Sequence, residues 1–332
     1  MHSLIYHVLA QFYFIIGESN SICFHIYKLG GIFLEIAISG GTGFIGSALA
    51  AHLADKGHTI YILTRSAKLT STRANIRFVQ WNAENEMFPL SRIDAFINLA
   101  GEPINSGRWT QRRKAHILTS RVQTTQGIVR QLAKLSRRPR IFVNASAIGY
   151  YGTSLDKTFT EASTTHGTDF LATTVIQWEK EASHAQLLGM RTIYARFGVV
   201  LGRKGGALPR MILPYKLFSG GTIGSGKQWL SWIHIDDVVN MISFALENEA
   251  IQGALNLTAP RPVTMQDFGK TIAKVLRKPH YFPIPSLPLR ILLGEMSTLV
   301  LDGQRVLPET SVQHGYIHSY SNLEDALTDL LK

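Results

Sequence analysis

The stretch LEIAISGGTGFIGSALAAHLADKGHTIYILTRS, residues 34–66, carries the clearest information about the fold. It opens with a short apolar run at 36–39, which is typical of a buried strand, and passes through a glycine-rich turn into an alanine-rich segment at about 45–56. Gly57 is a typical helix stop, and a second apolar run follows at about 59–63. The pattern predicts a strand, a helix and a second, parallel strand, which together form a βαβ unit.

The glycine turn of this unit predicts a dinucleotide site. Its glycines follow the pattern G-x-x-G-x-x-G, in which they allow a tight turn, a close approach of backbone to a pyrophosphate, and close packing of the helix on the strand. The pyrophosphate of such a ligand lies at the N-terminus of the helix. The alternative is a plain strand-to-helix turn without a ligand. The predicted cofactor-binding residues of the turn are Gly40, Gly41, Thr42, Gly43, Phe44, Ile45 and Gly46.

The end of the second strand favours one dinucleotide over the other. An acidic residue there would hydrogen-bond the hydroxyls of the adenine ribose, whereas this chain has LTRS, with Arg65 where a 2′-phosphate would lie. A guanidinium matches the geometry of phosphate, so we predict NADP(H) rather than NAD(H) as the cofactor. The alternative is a solvated arginine that binds no ligand.

Further strand-like runs follow at 76–82, 94–101, 140–147 and 191–202, with helical stretches between them. This alternation predicts an α/β fold, a Rossmann-type doubly wound parallel sheet. Ligands bind at the carboxyl ends of such strands. The predicted rim of the cofactor cleft comprises Asn82, Leu99, Ala100, Gly101, Glu102, Ala145, Ser146, Phe197, Gly198 and Val199.

Composition limits the classes of function. The chain has 332 residues, 45% hydrophobic and 17% charged, which suits a globular protein of one large domain or one domain plus a lobe. Its 34 basic and 23 acidic residues give a net charge of +11, but no aromatic-interleaved basic stripe points to nucleic acid. No zinc-ligand spacing is present, and we predict no metal site. The single Cys23 fits a reducing compartment, so we expect a cytoplasmic protein whose partner is a small-molecule substrate.

The two ends of the chain differ from the centre. Within residues 1–33, the apolar run LIYHVLAQFYFIIG contains His7 and Gln11 and falls short of the roughly 18 apolar residues of a membrane span. We interpret residues 1–33 as an extension upstream of the domain, with a weak membrane or targeting anchor as the alternative. We expect the NADP-binding domain at 34–245 and a C-terminal domain at 246–332. The latter has helical patterns near 264–277, 288–300 and 321–331.

Several motifs together carry a resemblance to a known family. They are SGGTGFIG, NLAGEPI, RWTQRRKAHILTSRVQTT, ASAIGYYG and WLSWIHIDD, followed by RPVTMQDFGKTIAKVLRKPHYFPIP and GEMSTLVLDGQRVLP. In this order they resemble the extended short-chain dehydrogenase/reductase superfamily, specifically its epimerase-family branch with that branch's own C-terminal domain. The resemblance runs from about 35 to 331 and implies a Rossmann domain that binds NADP(H), closed over by a smaller lobe.

The resemblance also implies a catalytic site, from which this chain departs. The superfamily uses a Ser or Thr after the fifth strand, then a Tyr acid/base and a Lys four residues apart on the next long helix. Ser146 matches the first position, but the Tyr and Lys positions fall on Leu171 and Val175. In this helix an apolar face of Leu171, Val175, Trp178 and Ala182 is expected, with Glu179, Lys180 and Glu181 turned elsewhere.

Two explanations for this departure remain open. Proton transfer has moved to another group, with Tyr150 and Tyr151 as candidates beside Ser146, and with Glu102, Lys114, His116 and Arg121 near the rim. Alternatively, the protein binds NADP(H) as a non-catalytic sensor or scaffold. The first explanation predicts an oxidoreductase acting on a small carbonyl or alcohol.

Three residues of the WLSWIHIDD motif bear on function and structure. Nucleotide-sugar enzymes of the superfamily have a diphosphate-clamping arginine where Leu230 stands, so nucleotide-sugar epimerisation is disfavoured. His234 and Asp236 are expected to be structural, joining a strand end to a capped helix.

Overall fold

The described part of the chain, residues 33–66, 69–85 and 87–332 of a computed structural model, alternates strands with helices. The strands are β1 (Glu35–Ser39), β2 (Thr59–Thr64), β3 (Ile76–Gln80), β4 (Ala95–Asn98), β5 (Ile141–Ala147), β6 (Thr158–Phe159), β7 (Arg191–Phe197), β8 (Val199–Leu201), β9 (Trp229–Leu230), β10 (Trp232–His234), β11 (Gly253–Leu257), β12 (Val263–Thr264) and β13 (Arg305–Val306).

The helices are α1 (Phe44–Asp55), α2 (Gln111–Ala133), α3 (Phe170–Leu187), α4 (Leu208–Met211), α5 (Leu213–Lys216), α6 (Ile235–Glu247), α7 (Met265–Leu276), α8 (Ser286–Leu293), α9 (Thr298–Leu301), α10 (Glu309–Gln313) and α11 (Leu323–Leu331). Short 3₁₀ turns cover Ile148–Tyr151 and Gly294–Ser297. Residues 1–32, including Cys23, lie outside the described residues, and the expectations for the extension and for Cys23 are therefore untested.

Seven of the described strands form one parallel sheet in the order β11–β7–β5–β4–β1–β2–β3. The chain runs outward through β2 and β3 on one side of β1, then returns to build β4, β5, β7 and β11 on the other. The reversal between β1 and β4 is a switch point, where a crevice opens at the carboxyl ends of the strands. The predicted Rossmann-type parallel sheet is confirmed.

Helices cover both faces of the sheet because the parallel strands are apolar on both sides. On one face, Leu49 and Leu53 of α1 and Val238 and Ile242 of α6 pack in one core cluster with β1. On the other face, α2 and α3 contribute a second cluster with β4 and β5. A third cluster, around Trp232, belongs to the smaller C-terminal region and joins α7 to α11.

The structure corrects two predicted elements. The run at 191–202 is not one strand, because Gly198 separates β7 in the main sheet from β8, which pairs with β10. A Cβ at Gly198 would lie 2.5 Å from the carbonyl oxygen of Ser231, so this crossing tolerates only glycine. The helix predicted at 288–300 is broken at Gly294, whose φ of +60° ends α8.

One strand of the sheet comes from the segment assigned above to the C-terminal domain. β11 lies beyond residue 245, yet it pairs in parallel with β7 at the sheet edge. The division of the chain into domains otherwise stays a prediction.

Candidate functional site

At two positions of the turn after β1, only glycine fits the packing of the protein. Gly40 has a φ of +72°, and a Cβ there would stand 2.7 Å from the main-chain carbonyl of Leu99 at the end of β4. A Cβ at Gly46 would lie 2.3 Å from the carbonyl oxygen of Gly40. The turn is therefore packed directly between the end of β4 and the first turn of α1.

Gly43 differs from these two glycines because its neighbours leave space. It precedes α1 with φ −76° and ψ 175°, an ordinary extended conformation, and it is exposed together with Thr42. Within the described chain, a Cβ at Gly43 would come within 4 Å of a single atom beyond its neighbours, the carbonyl oxygen of Gly40 at 3.2 Å. No acid occupies the first turn of α1. The Gly43 N–H donates to the carbonyl oxygen of Gly40 at 3.0 Å. The first N–H groups of α1 have no partner within the helix, and such groups fit a pyrophosphate.

The other turn residues contribute packing. The half-buried ring of Phe44 lies against the segment Gly202–Gly206, since a Cβ at Gly202 or Gly205 would meet that ring at 2.3 Å. Ile45 is half-buried beside the main core cluster, and Gly41 is buried against Ile62. Their assignment to cofactor binding stays a prediction.

Arg65 is exposed directly after β2, next to the turn in the sheet order. Among the described residues it has no hydrogen bond, ion pair or ring contact. The pKa of Glu102 is lowered mainly by a hydrogen bond from Arg113, and the charge of Arg65 adds a smaller effect in the same direction. Arg65 and Glu102 both follow strands at the carboxyl edge of the sheet, and the guanidinium of Arg65 is exposed and available to an anion.

The turn that begins at Asn82, after β3, is fixed by α2. The buried Gln131 side chain donates to the carbonyl oxygens of Asn82, Ala83 and Asn85 at 3.2, 3.0 and 2.8 Å. Asn82 itself is exposed, and its Oδ1 accepts from the backbone N–H of Glu84. Its side chain thus lies on the surface at the third strand end.

The rim residues Leu99, Ala100, Gly101 and Glu102 follow β4, where a buried asparagine organises three strand ends. Asn98 Oδ1 accepts from the Ser39 hydroxyl at 2.7 Å and from the backbone N–H of Ala100 at 3.2 Å. Its Nδ2 donates to Asn144 Oδ1 at 2.7 Å. The carboxyl ends of β1, β4 and β5 are thereby held in register at the crevice.

Ser146 lies near the end of β5 and serves a buried ion pair. Its hydroxyl donates to Oε1 of Glu179 at 2.5 Å. Arg196, from β7, donates to both carboxylate oxygens of Glu179 at 2.8 Å each. Burial acts to lower the pKa of Arg196, but the hydrogen bonds and charge of Glu179 outweigh burial and raise it. The catalytic and cofactor-binding assignments of Ser146 stay predictions.

Tyr151 belongs to the same buried network. It is 3% exposed, accepts from Arg196 Nη1 at 2.9 Å and donates to Asn256 Oδ1 at 2.8 Å. Burial raises the pKa of its phenol, against the opposing influence of Arg196. The Tyr151 hydroxyl therefore already donates one hydrogen bond and accepts another within the protein.

Tyr150 differs from its neighbour in having an uncommitted hydroxyl. Its ring is half-buried, lies under the guanidinium of Arg196 at 3.6 Å from Cζ to the ring centroid, and meets Tyr151 edge to face. In the described chain its hydroxyl has no hydrogen-bond partner. Of the three residues predicted as catalytic, Tyr150 is the one with a polar group available to a ligand.

In α3 the predicted apolar face is confirmed, but the predicted outward position of Glu179 is wrong. Val175 and Trp178 are buried, and Leu171 is half-buried, with its Cβ 3.5 Å from the Cβ position of Gly149. Glu179, however, is 8% exposed rather than turned outward. An isolated carboxylate cannot be buried without a partner, and Arg196 supplies one.

Arg196 itself is a signal for this pair that helical periodicity does not detect. β7 is an interior parallel strand whose buried positions otherwise carry no charge, so an arginine there requires a nearby acid. Only the packing of α3 on the sheet identifies that acid as Glu179.

The remaining predicted positions lie at the other strand ends. Phe197 and Gly198 end β7 and are half-buried. Leu230 is buried in the C-terminal core cluster, away from solvent. His234 caps α6, since its Nδ1 accepts from the backbone N–H of Asp236 at 3.1 Å, and its structural role is confirmed.

A metal-ligand cluster and a membrane-spanning helix are both absent from the described residues. No group of three or more His, Cys, Asp or Glu side chains within residues 33–66, 69–85 and 87–332 could hold a metal ion. Among the helices that the structure describes, none has both the length and the hydrophobicity needed to cross a membrane.

The sheet order and the glycine turn at the switch point define an NAD(P)-binding Rossmann protein. The chain belongs to the NAD-dependent epimerase/dehydratase family, whose family model matches residues 36–257. Residues 284–330 match a second family model, described as a domain of unknown function (DUF1731). The predicted resemblance is confirmed.

Similar proteins support this placement. The epimerase family protein YfhF of Bacillus subtilis is 51% identical over 300 residues, covering 90% of this chain and 98% of that protein. The crystal structure of human epimerase family protein SDR39U1 (isoform 2) with NADPH is 32% identical, with a TM-score of 0.79, and covers 89% of this chain and 98% of that chain. UDP-glucuronic acid 4-epimerase from Bacillus cereus, solved with UDP-glucuronic acid and NAD, shares the fold at 18% identity and a TM-score of 0.71, covering 88% of this chain and 96% of that chain.

Proposed function

We propose that the chain binds NADP(H) and acts as an oxidoreductase on a small carbonyl or alcohol. The observation that carries the choice of cofactor is Arg65, an exposed guanidinium at the end of β2 without an acidic partner among the described residues. A 2′-phosphate supplies the charge that pairs with it, whereas a ribose hydroxyl does not. The similarity to a human protein solved with NADPH supports the same choice.

The residues that would hold the cofactor follow from the crevice. The backbone N–H groups of the first turn of α1, beside the open space at Thr42 and Gly43, would bind the pyrophosphate. Arg65 would bind the 2′-phosphate, and Asn82 would border the adenosine. The rim after β4 and the end of β7 would enclose the nicotinamide. When bound, the nicotinamide donates or accepts the hydride.

Proton transfer must then come from this chain, because a hydride added to a carbonyl carbon leaves an oxygen that takes up a proton. Ser146 and Tyr151 have their hydroxyl groups engaged in the Glu179–Arg196 network. Tyr150 has a hydroxyl without a partner in the described chain, and we assign it the role of general acid or base. Its ring is held in place by the Arg196 guanidinium.

A second candidate function is a non-catalytic NADP(H)-dependent sensor or scaffold. The observation in its favour is α3, which presents Leu171 and Val175 where the superfamily has its Tyr and Lys. Nucleotide-sugar epimerisation has less support, because Leu230 is part of an apolar core and cannot bind a diphosphate.

The test offers the purified protein NADPH and a panel of small aldehydes, ketones and keto acids, and follows the loss of NADPH fluorescence. An oxidoreductase turns over at least one class of carbonyl and yields NADP⁺ and the alcohol in equal amounts. Tight NADPH binding with no turnover of any carbonyl would support the sensor instead.

A further inference from the structure

The segment 101–121, which follows β4 and enters α2, has an unbalanced charge. It contains Arg108, Arg112, Arg113, Lys114 and Arg121 but a single acid, Glu102. Arg113 is paired with Glu102 at 2.8 Å between Nη1 and Oε1. Lys114, whose side chain is 16% exposed, is paired with Glu295 from the C-terminal region. The remaining arginines of the segment have no carboxylate within ion-pair distance in the described chain.

Arg121 is half-buried at the end of this segment. Its Nη1 and Nη2 donate to the carbonyl oxygens of Ile117 and Glu102 at 2.9 and 3.0 Å, and its Cζ lies 5.1 Å from the ring centroid of Trp178. Trp178 is in turn fixed by a hydrogen bond from Nε1 to Thr125. Burial lowers the pKa of Arg121 to about 10, and Glu102, whose charge acts the other way, is hydrogen-bonded to Arg113.

Arg108, within this segment, and Arg210, which contacts it, each use one guanidinium nitrogen in a hydrogen bond to a main-chain carbonyl. Arg108 Nη2 donates to the carbonyl oxygen of Ile291, and Arg210 Nη1 donates to that of Asn105 at 3.2 Å. An arginine carries five N–H donors, so each guanidinium keeps most of its donors for another partner. Neither makes an ion pair with a described residue.

Arg108 lies in the loop 101–108, and Arg121 and Arg210 donate to carbonyl oxygens of that loop, at Glu102 and Asn105. A Cβ at Gly101 would lie 3.4 Å from Cζ of Arg121, so Arg121 borders the predicted cofactor rim. Arg108 approaches Gly294, the residue next to Glu295. None of the three has a carboxylate within ion-pair distance in the described chain, and an anion bound at the loop would supply that charge.

We propose that Arg108, Arg121 and Arg210 form a binding site for an anionic group, a carboxylate or a phosphate, carried by the substrate. The inference rests on the proposed function, since it names the class of that substrate as an anionic carbonyl or alcohol. The fork of each guanidinium suits bidentate binding of either group. The same chemistry could serve a phosphate of the cofactor, and the experiment distinguishes the two sources.

The experiment titrates inorganic phosphate and malonate, as probes, into protein saturated with NADP⁺ and follows the heat of binding. We expect saturable binding of at least one probe, weakened about tenfold or more by Arg108→Gln and by Arg210→Gln. NADPH affinity should stay within about twofold of the unaltered protein in both variants. The matched control is Arg138→Gln: Arg138 also donates only to main-chain carbonyls, of Ala133 and Leu188, but precedes β5 at the opposite end of the strands.

Three results would overturn the proposed anion site, and a fourth would overturn only the proposed function. The proposal is overturned if neither probe binds the NADP⁺-saturated protein, or if the variants bind the probe as well as the control does. It is also overturned if the probe competes with NADPH and the variants lose NADPH affinity, because the anion is then the cofactor's own phosphate. If NADPH fails to bind at all while the probe binds and the variants lose it, the proposed function fails but the anion site stands.

Discussion

Arg196 donates two hydrogen bonds to Glu179, Nε to Oε1 and Nη2 to Oε2, each 2.8 Å long. The side chains are 6% and 10% exposed, so the pair is a buried ion pair between β7 and α3. Ser146 and Tyr151 complete it, which explains why these two predicted catalytic residues have no free hydroxyl group.

The first prediction concerns the stability that this pair contributes. Glu179→Gln removes the charge that compensates the buried Arg196, and loss of one partner of a buried pair costs about 3–5 kcal/mol. We expect the free energy of unfolding, measured with urea, to fall by about 3 kcal/mol. In the matched control, Lys56→Gln breaks the exposed Lys56–Glu247 pair. This change should alter the free energy of unfolding by less than about 1 kcal/mol. Equal effects of both changes would contradict the structural role of Glu179.

The second prediction separates the two adjacent tyrosines. Tyr151→Phe removes a hydroxyl with two buried partners and should lower the free energy of unfolding by about 1–3 kcal/mol. Tyr150→Phe should leave it within about 0.5 kcal/mol, while kcat for a substrate found in the carbonyl screen falls about a hundredfold or more. If Tyr150→Phe turns over that substrate normally, proton transfer comes from another group.

The third prediction separates folding from cofactor binding within one turn. A Cβ at Gly46 meets the backbone oxygen of Gly40, so Gly46→Ala should destabilise the protein by about 3 kcal/mol. Gly43→Ala should cost about 1 kcal/mol or less. Its methyl group nevertheless occupies the open N-terminus of α1, so the Kd for NADPH should rise about tenfold or more. A Gly43→Ala variant that binds NADPH normally would remove the turn from the cofactor site.

The fold could be predicted from local patterns because its main features are local. The apolar run of β1, the three glycines and the helix that follows lie within one short stretch, and each restricts the backbone independently. The break in the helix predicted at 288–300 depends on Gly294 adopting a positive φ, and a single glycine in an apolar helical pattern does not reveal that.

The predicted site was less accessible to sequence reasoning because it depends on contacts across the fold. Glu179 was placed outward by helical periodicity, which treats every charged residue as solvated. Its partner Arg196 lies on a strand, and the two meet only when α3 packs on the sheet. Likewise, the guanidinium groups around loop 101–108 come from α2, α4 and the loop itself, which only the folded chain brings together.

The most direct measurement titrates the purified protein with NADPH and NADH by fluorescence, for the unaltered chain and for Arg65→Glu. We expect the unaltered chain to bind NADPH about tenfold to a hundredfold more tightly than NADH, because a charge-assisted contact with the 2′-phosphate contributes about 1.5–3 kcal/mol. Arg65→Glu should abolish this preference, whereas Arg138→Glu, with the same change in charge at the opposite end of the strands, should keep it. Equal affinity of the unaltered chain for both nucleotides, or no binding of either, would contradict an NADP(H) site at Arg65.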